Sequence, residues 1–358
     1  MSKRITALTL TMILVLTVAL VGCSKKLEPK EAATTAATQA MTMTSYAMTS
    51  KFTINDLSFT STETQNDPSV GMVVNMLKNA EMTLDGLYQK DPMQTEMTLG
   101  IKLKGDMAME FSIPMVMTQD KMYVKIPSIP FFPMPESIVG KFLVLDLKEL
   151  AEESGTEFNP ASMDQAKAQK FSNEVVDAVL AEYDASYFTD IAPKDAALPE
   201  GIDAKQVVQF KVTNDNFQQA ATTFINKALP KVLDIMSKEE YADMLQVEKS
   251  EIDKFKSELA SNSGEVAKDL EEAKKYLKVN QFDLNTAINA DNFPVYQSLN
   301  ANVDFNDPET KENIKLSVTG SGQYTKINEK QTFVIGIPSG DQVITMDQLE
   351  QEMSNLGY

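Results

Sequence analysis

Strict alternation of apolar and polar residues marks the stretch from position 97 to position 113. Each apolar residue is followed by a polar or small one, and the alternation resumes after a turn at Gly105-Asp106. A period of two places successive side chains on opposite faces of a β-strand. The stretch therefore predicts a hairpin with one apolar face, formed by Met97, Leu99, Ile101, Leu103, Met107, Met109, Phe111 and Ile113.

Strand-like patterns recur on both sides of a helical block. Strands are predicted over 46–59, 80–89, 121–126, 141–147, 206–213, 295–305, 314–324 and 332–337. The segment 68–77, between the first two strands, is compatible with a short helix or a long loop. Several strands joined by short turns favour an antiparallel sheet.

The helical block begins after Asn159-Pro160. Phe171, Val175, Val179 and Tyr183 recur every four residues and predict an amphipathic helix within 161–187. Further helices are predicted from about residue 216, over 239–245 and 249–277, and from Thr345 onward. An apolar stripe on a helix needs a sheet face or another helix to cover it. The fold class predicted is α+β, with helices packed on one face of a curved antiparallel β-sheet.

The N-terminus has the form of a bacterial lipoprotein signal. Lys3-Arg4 precede an apolar run, and the segment Leu20-Val21-Gly22-Cys23 ends at the only cysteine of the chain. A positive start, an apolar stretch and small residues before a cleavage site are typical of secretory signals. Residues 1–23 resemble the bacterial lipoprotein signal family. The resemblance implies cleavage after residue 22 and a thioether-linked diacylglycerol on Cys23.

Residues 23–44 are mostly Ala, Thr, Lys, Glu and Gln, which predicts a lipidated cysteine followed by a solvated tether. Residues 45–358 are predicted to form one α+β domain, or two similar halves at about 45–150 and 205–340 with helical insertions. We expect the protein to be lipid-anchored on the extracytoplasmic face of the cell membrane. The acidic, lysine-rich composition favours the surface of a Gram-positive cell.

Composition excludes several functions. The chain has no histidine and a formal net charge of −18. Histidine is the commonest metal ligand and general base at neutral pH, so no catalytic residue, metal site or cofactor is predicted. The negative charge opposes nucleic-acid binding. The absence of tryptophan argues against a module that stacks sugars on indole rings.

Methionine and proline mark two candidate contact regions. Fourteen of the 21 methionines lie between Met41 and Met134, and methionine is common both in cores and at adaptable binding surfaces. The apolar segment 126–135 contains four prolines, which block helix and strand. This loop either folds back onto the core or forms the lip of a cavity or a contact with a membrane or partner, through Ile129, Phe131, Phe132 and Met134.

The order of these elements resembles that of the LolA/LppX-type superfamily of lipoprotein and lipid carriers. The pattern of lipobox, polar linker, Met- and Leu-rich meander and crossing helices carries the resemblance, without a signature motif. It implies an open half-barrel closed by helices around an apolar cavity for acyl chains. The helices between Ala161 and Leu277 exceed the minimal fold of that superfamily.

Two functions follow as hypotheses, neither of them enzymatic. In the first, the apolar face of the 97–113 hairpin binds a lipid, lipopeptide or acyl chain, although an ordinary core face would show the same pattern. In the second, the chain is an interaction module that docks a protein of the cell envelope.

Overall fold

The computed structural model describes residues 26–60, 68–104, 108–128, 134–149, 165–245, 247–261, 268, 271–272, 274–309 and 311–354. Its strands are β1 Ser45–Thr60, β2 Glu81–Gln89, β3 Gln94–Leu103, β4 Met109–Thr118, β5 Lys121–Lys125, β6 Phe142–Asp146, β7 Phe188–Ile191, β8 Gln206–Val212, β9 Leu277–Ile288, β10 Pro294–Asp307, β11 Glu312–Thr325 and β12 Val343–Ile344. Its helices are α1 Pro29–Ala40, α2 Pro68–Leu77, α3 Gln165–Glu182, α4 Phe217–Thr223, α5 Leu229–Met236, α6 Glu239–Leu245, α7 Lys249–Ser261 and α8 Met346–Ser354. The residues Phe224–Ala228 form a wider π turn that joins α4 to α5.

All twelve strands belong to one sheet, in the order β12-β6-β5-β4-β3-β2-β1-β11-β10-β9-β8-β7. Neighbouring strands are antiparallel except for the short β12–β6 pair. The two edge strands are not paired with each other in the described part of the chain, so the sheet is open. The α+β class is confirmed. The segments 45–150 and 205–340 supply adjoining parts of this single sheet, which meet where β1 pairs with β11.

The predicted hairpin is confirmed as β3 and β4. Leu99 lies opposite Ile113 and Ile101 opposite Phe111, without a bulge in either strand. Directly opposed residues project from the same face of a sheet, so the apolar residues of both strands share one face. The turn at Gly105-Asp106 lies outside the described residues.

Helices cover this apolar face at its two ends. Helix α1 contacts β7, β8, β9 and β10, and α3 packs on α1. At the other end α8 contacts β6, where Leu349 and Met353 pack around Ile126 and Ile344. Between these ends, apolar residues such as Leu99, Phe111 and Leu299 remain only partly buried. The described helices therefore cover less of the sheet than its apolar face offers.

The predicted tether is wrong for residues 29–40, which form α1. Ala32 and Ala36 are buried against Phe188 and Val208, and Ala36 is 1% exposed. Alanine is the best helix former, and its small side chain allows close packing without large apolar residues. The composition was therefore compatible with a packed helix as well as with a solvated segment.

Polar contacts join the ends of α1 and α3. The Gln169 amide donates to the Ala40 carbonyl at 2.7 Å, and Lys30 Nζ donates to the Ala181 and Tyr183 carbonyls at 2.9 and 2.7 Å. Each helix thus satisfies carbonyls at the C-terminal end of the other, where no intrahelical donor is available. These bonds hold the two helices antiparallel across the sheet.

The strand predicted at 332–337 is also wrong. These residues have no regular secondary structure, because the backbone N–H groups of Val334, Ile335 and Gly336 donate to the Glu96 carboxylate at 2.8, 2.9 and 2.6 Å. Glu96 is 4% exposed. Three charge-assisted hydrogen bonds replace the pairing that a strand would have used. The loop also places Ile335 against Val116.

Two further predictions concern helices. The predicted helix 249–277 is confirmed at its described residues up to 276, which comprise α7 and the helical positions 268, 271–272 and 274–276, whereas Leu277 already begins β9. Residues 68–77 form a helix, which was one of the two alternatives.

We expect Glu96→Gln to lower the free energy of unfolding by about 3 kcal/mol, because an amide cannot accept all three backbone donors and leaves them poorly paired. Chemical denaturation would measure this loss, and amide exchange should show reduced protection at residues 334–336. Glu110→Gln is the matched control, since its exposed carboxylate pairs with Lys102 on the same sheet. Equal stability of both variants would contradict the anchoring role of Glu96.

Candidate functional site

A cavity of about 560 Å³ lies between the apolar face of the sheet and helices α1 and α3. Small residues of α1 form one wall and α3 forms another, while β1, β2, β3, β8, β9, β10 and β11 contribute the floor. Apolar residues prevail in the lining, which includes Ala33, Ala37, Met43, Met48, Leu87, Met97, Val176, Leu180, Phe188, Val208, Phe210 and Leu284. Ligand pockets commonly have this volume and apolar character.

Small residues create the space. Ala33, Ala37 and Ala40 keep α1 thin where it faces the cavity. On the floor Gly86 lies between two methionines, and a Cβ at this position would be 3.3 Å from Met48 Cγ and 3.5 Å from Met97 Cγ. Larger residues at these positions would fill the cavity from the helix or from the sheet.

Asn173 places a buried amide at the wall of this apolar site. Asn173 on α3 lines the cavity and is 8% exposed. Its Nδ2 has no hydrogen-bond partner among the described residues. An unpaired buried donor is unfavourable, so a ligand atom that accepts this hydrogen bond would be bound preferentially. The site thus combines apolar walls with a polar group of fixed position.

Three tyrosines form a polar end to the cavity. The Tyr46 ring lies 5.2 Å from that of Tyr88 and 5.3 Å from that of Tyr324, measured between ring centroids. Burial, reinforced by the neighbouring phenols, raises the pKa of Tyr46 to about 12. Burial also raises the pKa of Tyr324. At neutral pH both hydroxyls are therefore protonated and able to donate a hydrogen bond.

Among the predicted ligand-binding residues that the structure describes, only Met97 lines the cavity. Leu99, Ile101 and Leu103 continue along the same face of β3, and Ile113, Phe111 and Met109 lie opposite them on β4. These six residues are half-buried and extend the apolar surface away from the helices. Met107 lies outside the described residues.

The second predicted region is described only in part. Met134 is half-buried and packs against the cluster of Ile126, Ile138 and Ile344. Ile129, Phe131 and Phe132 lie outside the described residues, as does Cys23.

Helix α1, Asn173 and the tyrosine group were not predicted to be parts of a site. Tyr46, Tyr88 and Tyr324 are far apart along the chain, and their proximity depends on the pairing of β1 with both β2 and β11. The sequence signal for this part of the site was that Tyr46 and Met48 lie on the same face of one predicted strand. Asn173 lies outside the apolar stripe of the helix predicted within 161–187, so the pattern did not indicate that its side chain is buried.

Searches against models of protein families and against curated proteins find no significant match for this chain. The described helices include none that is both long and apolar enough to cross a membrane. Within the same residues, no group of three or more acidic, histidine or cysteine side chains is placed to hold a metal ion.

We expect the phenol of Tyr46 to ionise about two pH units above a solvent-exposed tyrosine. Because the pKa of Tyr46 is higher in the folded than in the unfolded state, its ionisation lowers the free energy of unfolding. The contribution of the protonated phenol to stability is fully present below the unfolded pKa of about 10 and is lost as the pH rises through the folded pKa. Absorbance at 295 nm should show one fewer late-ionising phenol in Tyr46→Phe, and this variant should lose less stability than the parent between pH 10 and 12. Identical titration curves would contradict the burial of Tyr46.

Proposed function

We propose that this chain is a membrane-anchored extracytoplasmic lipoprotein that binds a hydrophobic ligand in the cavity between α1, α3 and the sheet. The ligand class is a lipid, lipopeptide or other acyl-chain molecule. The observation that carries the proposal is the apolar cavity lined by Asn173, whose buried amide lacks a partner among the described residues. Such a site fits an apolar chain that carries a hydrogen-bond acceptor, such as an ester or amide carbonyl.

The open apolar surface beyond the cavity supports a long ligand. From Met97 the same face continues through Leu99, Ile101 and Leu103, all partly exposed. An acyl chain could begin at the cavity and follow this surface. A sheet curved into a half-barrel, as the LolA/LppX-type resemblance implies, would enclose such a chain on more than one side. We propose that the sheet of this protein has this curvature.

The ligand hypothesis is tested by filling the cavity. Native mass spectrometry of a chain beginning at Ser24, after incubation with membrane lipids, should show bound masses that organic extraction removes. Ala37→Phe should raise the dissociation constant for the lipid about tenfold, which corresponds to about 1.4 kcal/mol of binding free energy, because the ring occupies the cavity. A clean unliganded mass in the parent chain would contradict the proposal.

Thr38→Phe is the matched control, since Thr38 is an exposed neighbour on the same helix. It should bind lipid as the parent does. Thermal unfolding of both variants would separate cavity filling from loss of the fold. Equal lipid binding by Ala37→Phe and Thr38→Phe would place the ligand elsewhere.

The anchor hypothesis rests on the lipobox at 20–23. In bacterial cells, Cys23→Ser should abolish metabolic labelling with an alkyne fatty acid and move the protein from the membrane to the soluble fraction, because serine cannot form the thioether. Ser24→Ala should retain both the label and the membrane location. A labelled Cys23→Ser protein would contradict lipidation at this residue.

A second candidate function is contact with an envelope protein. Its support is the loop held by Glu96, which exposes 85% of Val334 and 53% of Ile337. A partner bound there would be retained by the Ala37→Phe variant, whereas an acyl ligand would be lost.

A further inference from the structure

The opposite face of the sheet carries a second, polar groove of about 480 Å³. It crosses β8, β9, β10, β11 and β1, and its lining consists mainly of amide and hydroxyl side chains. Asp283, Asn285 and Asn300 are among its polar lining residues. The groove lies on the face away from α1 and α3, because these residues have the opposite strand parity to Leu284 and Leu299.

The lining carries few charges although the chain as a whole is strongly acidic. Its ionisable acidic and basic side chains are Lys51, Asp195 and Asp283. Lys51 pairs with Glu81 at 2.8 Å, and Lys211 Nζ lies 3.8 Å from Asp283 Oδ1. Strong selection for an anion or a cation is therefore not expected, and a neutral ligand fits this balance best.

Asp283 contributes a buried carboxylate to the groove. The residue is 6% exposed, and its Oδ2 accepts a hydrogen bond from the Gln281 amide at 2.6 Å. Its Oδ1 faces the Lys211 ammonium at 3.8 Å but accepts no hydrogen bond from the described residues. A buried carboxylate oxygen in this state favours any ligand that brings an O–H or N–H donor.

Neighbouring side chains are already oriented by hydrogen bonds across three strands. The Gln209 amide of β8 donates to Asn285 Oδ1 of β9 at 3.0 Å, and the Asn285 amide donates to Ser298 Oγ of β10 at 3.2 Å. Groups fixed before binding lose less conformational entropy when a ligand arrives. Tyr296 adds an aromatic ring at the same groove.

We propose that this groove binds a neutral polyhydroxylated ligand, an oligosaccharide strand, on the side of the sheet opposite the apolar cavity. Sugar hydroxyls both donate and accept hydrogen bonds, which matches a row of amides beside a carboxylate. One hydroxyl donates to Asp283 Oδ1, and the Tyr296 ring packs against the C–H groups of a sugar ring. The sequence offered no indole for this purpose, and the polar network with Tyr296 takes its place.

The test uses the full-length chain in detergent micelles and a tetramer of β-1,4-linked N-acetylglucosamine as the probe. Isothermal titration calorimetry should show saturable binding to the parent chain. Asp283→Asn should weaken it at least tenfold, because a neutral amide is a poorer acceptor for the sugar hydroxyl. Absence of saturable binding at millimolar probe would overturn the proposal.

Two further variants keep the test independent of folding. Asn300→Ala removes a half-buried amide from the groove and should weaken binding, whereas Ser112→Ala alters the same face outside the groove and should not. Equal affinity of all variants would overturn the proposal. Preferential binding of an uncharged peptide such as hexaglycine would also overturn it and would identify the groove as a peptide site. Ala37→Phe should leave sugar binding unchanged, so the outcome does not depend on the lipid hypothesis.

Discussion

The described helices cover less area than the apolar face of the twelve-stranded sheet presents, and the rest of the structure depends on this difference. Each long strand has an apolar side that folding must remove from water, at about 25 cal/mol for each Å² buried. Helices α1 and α3 cover one end of the apolar face and α8 covers the other. The middle, around Leu99 and Phe111, stays partly exposed. A surface that folding leaves incompletely covered is available to a ligand, and this incomplete cover supports the binding hypothesis.

The α1 helix determines whether a cavity exists at all. It is fixed by alanine contacts with the sheet and by the hydrogen bond from Gln169 to Ala40, and the Gln206 amide holds the Leu27 carbonyl just before the helix. Its narrow profile leaves open the space that leucine or phenylalanine would have filled. The same helix lies directly after the proposed lipid anchor, so the membrane attachment and the cavity wall belong to one segment. On the opposite face, the groove around Asp283 depends only on strand parity and owes nothing to the helices.

Period-two patterns predicted most of the long strands, because a sheet with one solvent-exposed face imposes alternation on residues such as Met97 to Leu103. The twelve-residue strand β9 and the short strands β7 and β12 were not predicted. The amphipathic stripe of α3 was equally clear. Interactions between distant residues were not predictable. The Glu96 carboxylate accepts hydrogen bonds from a loop 238 or more positions away, and for this reason the strand predicted at 332–337 does not form. Helix α1 was missed since alanine gives no amphipathic signal, and the tyrosine group depended on strand order. The site could therefore be predicted as an apolar face, but its walls and polar groups could not.

The lengths of the two edge strands have a consequence for solubility. In an open sheet, unpaired backbone groups at the edges can recruit another chain and start aggregation. Here β7 spans four residues and β12 only two, whereas β1 in the interior spans sixteen. The outermost strands themselves thus offer few free N–H and C=O groups for pairing with a second molecule. Short outermost strands are poor templates for the growth of fibrils from so broad a sheet.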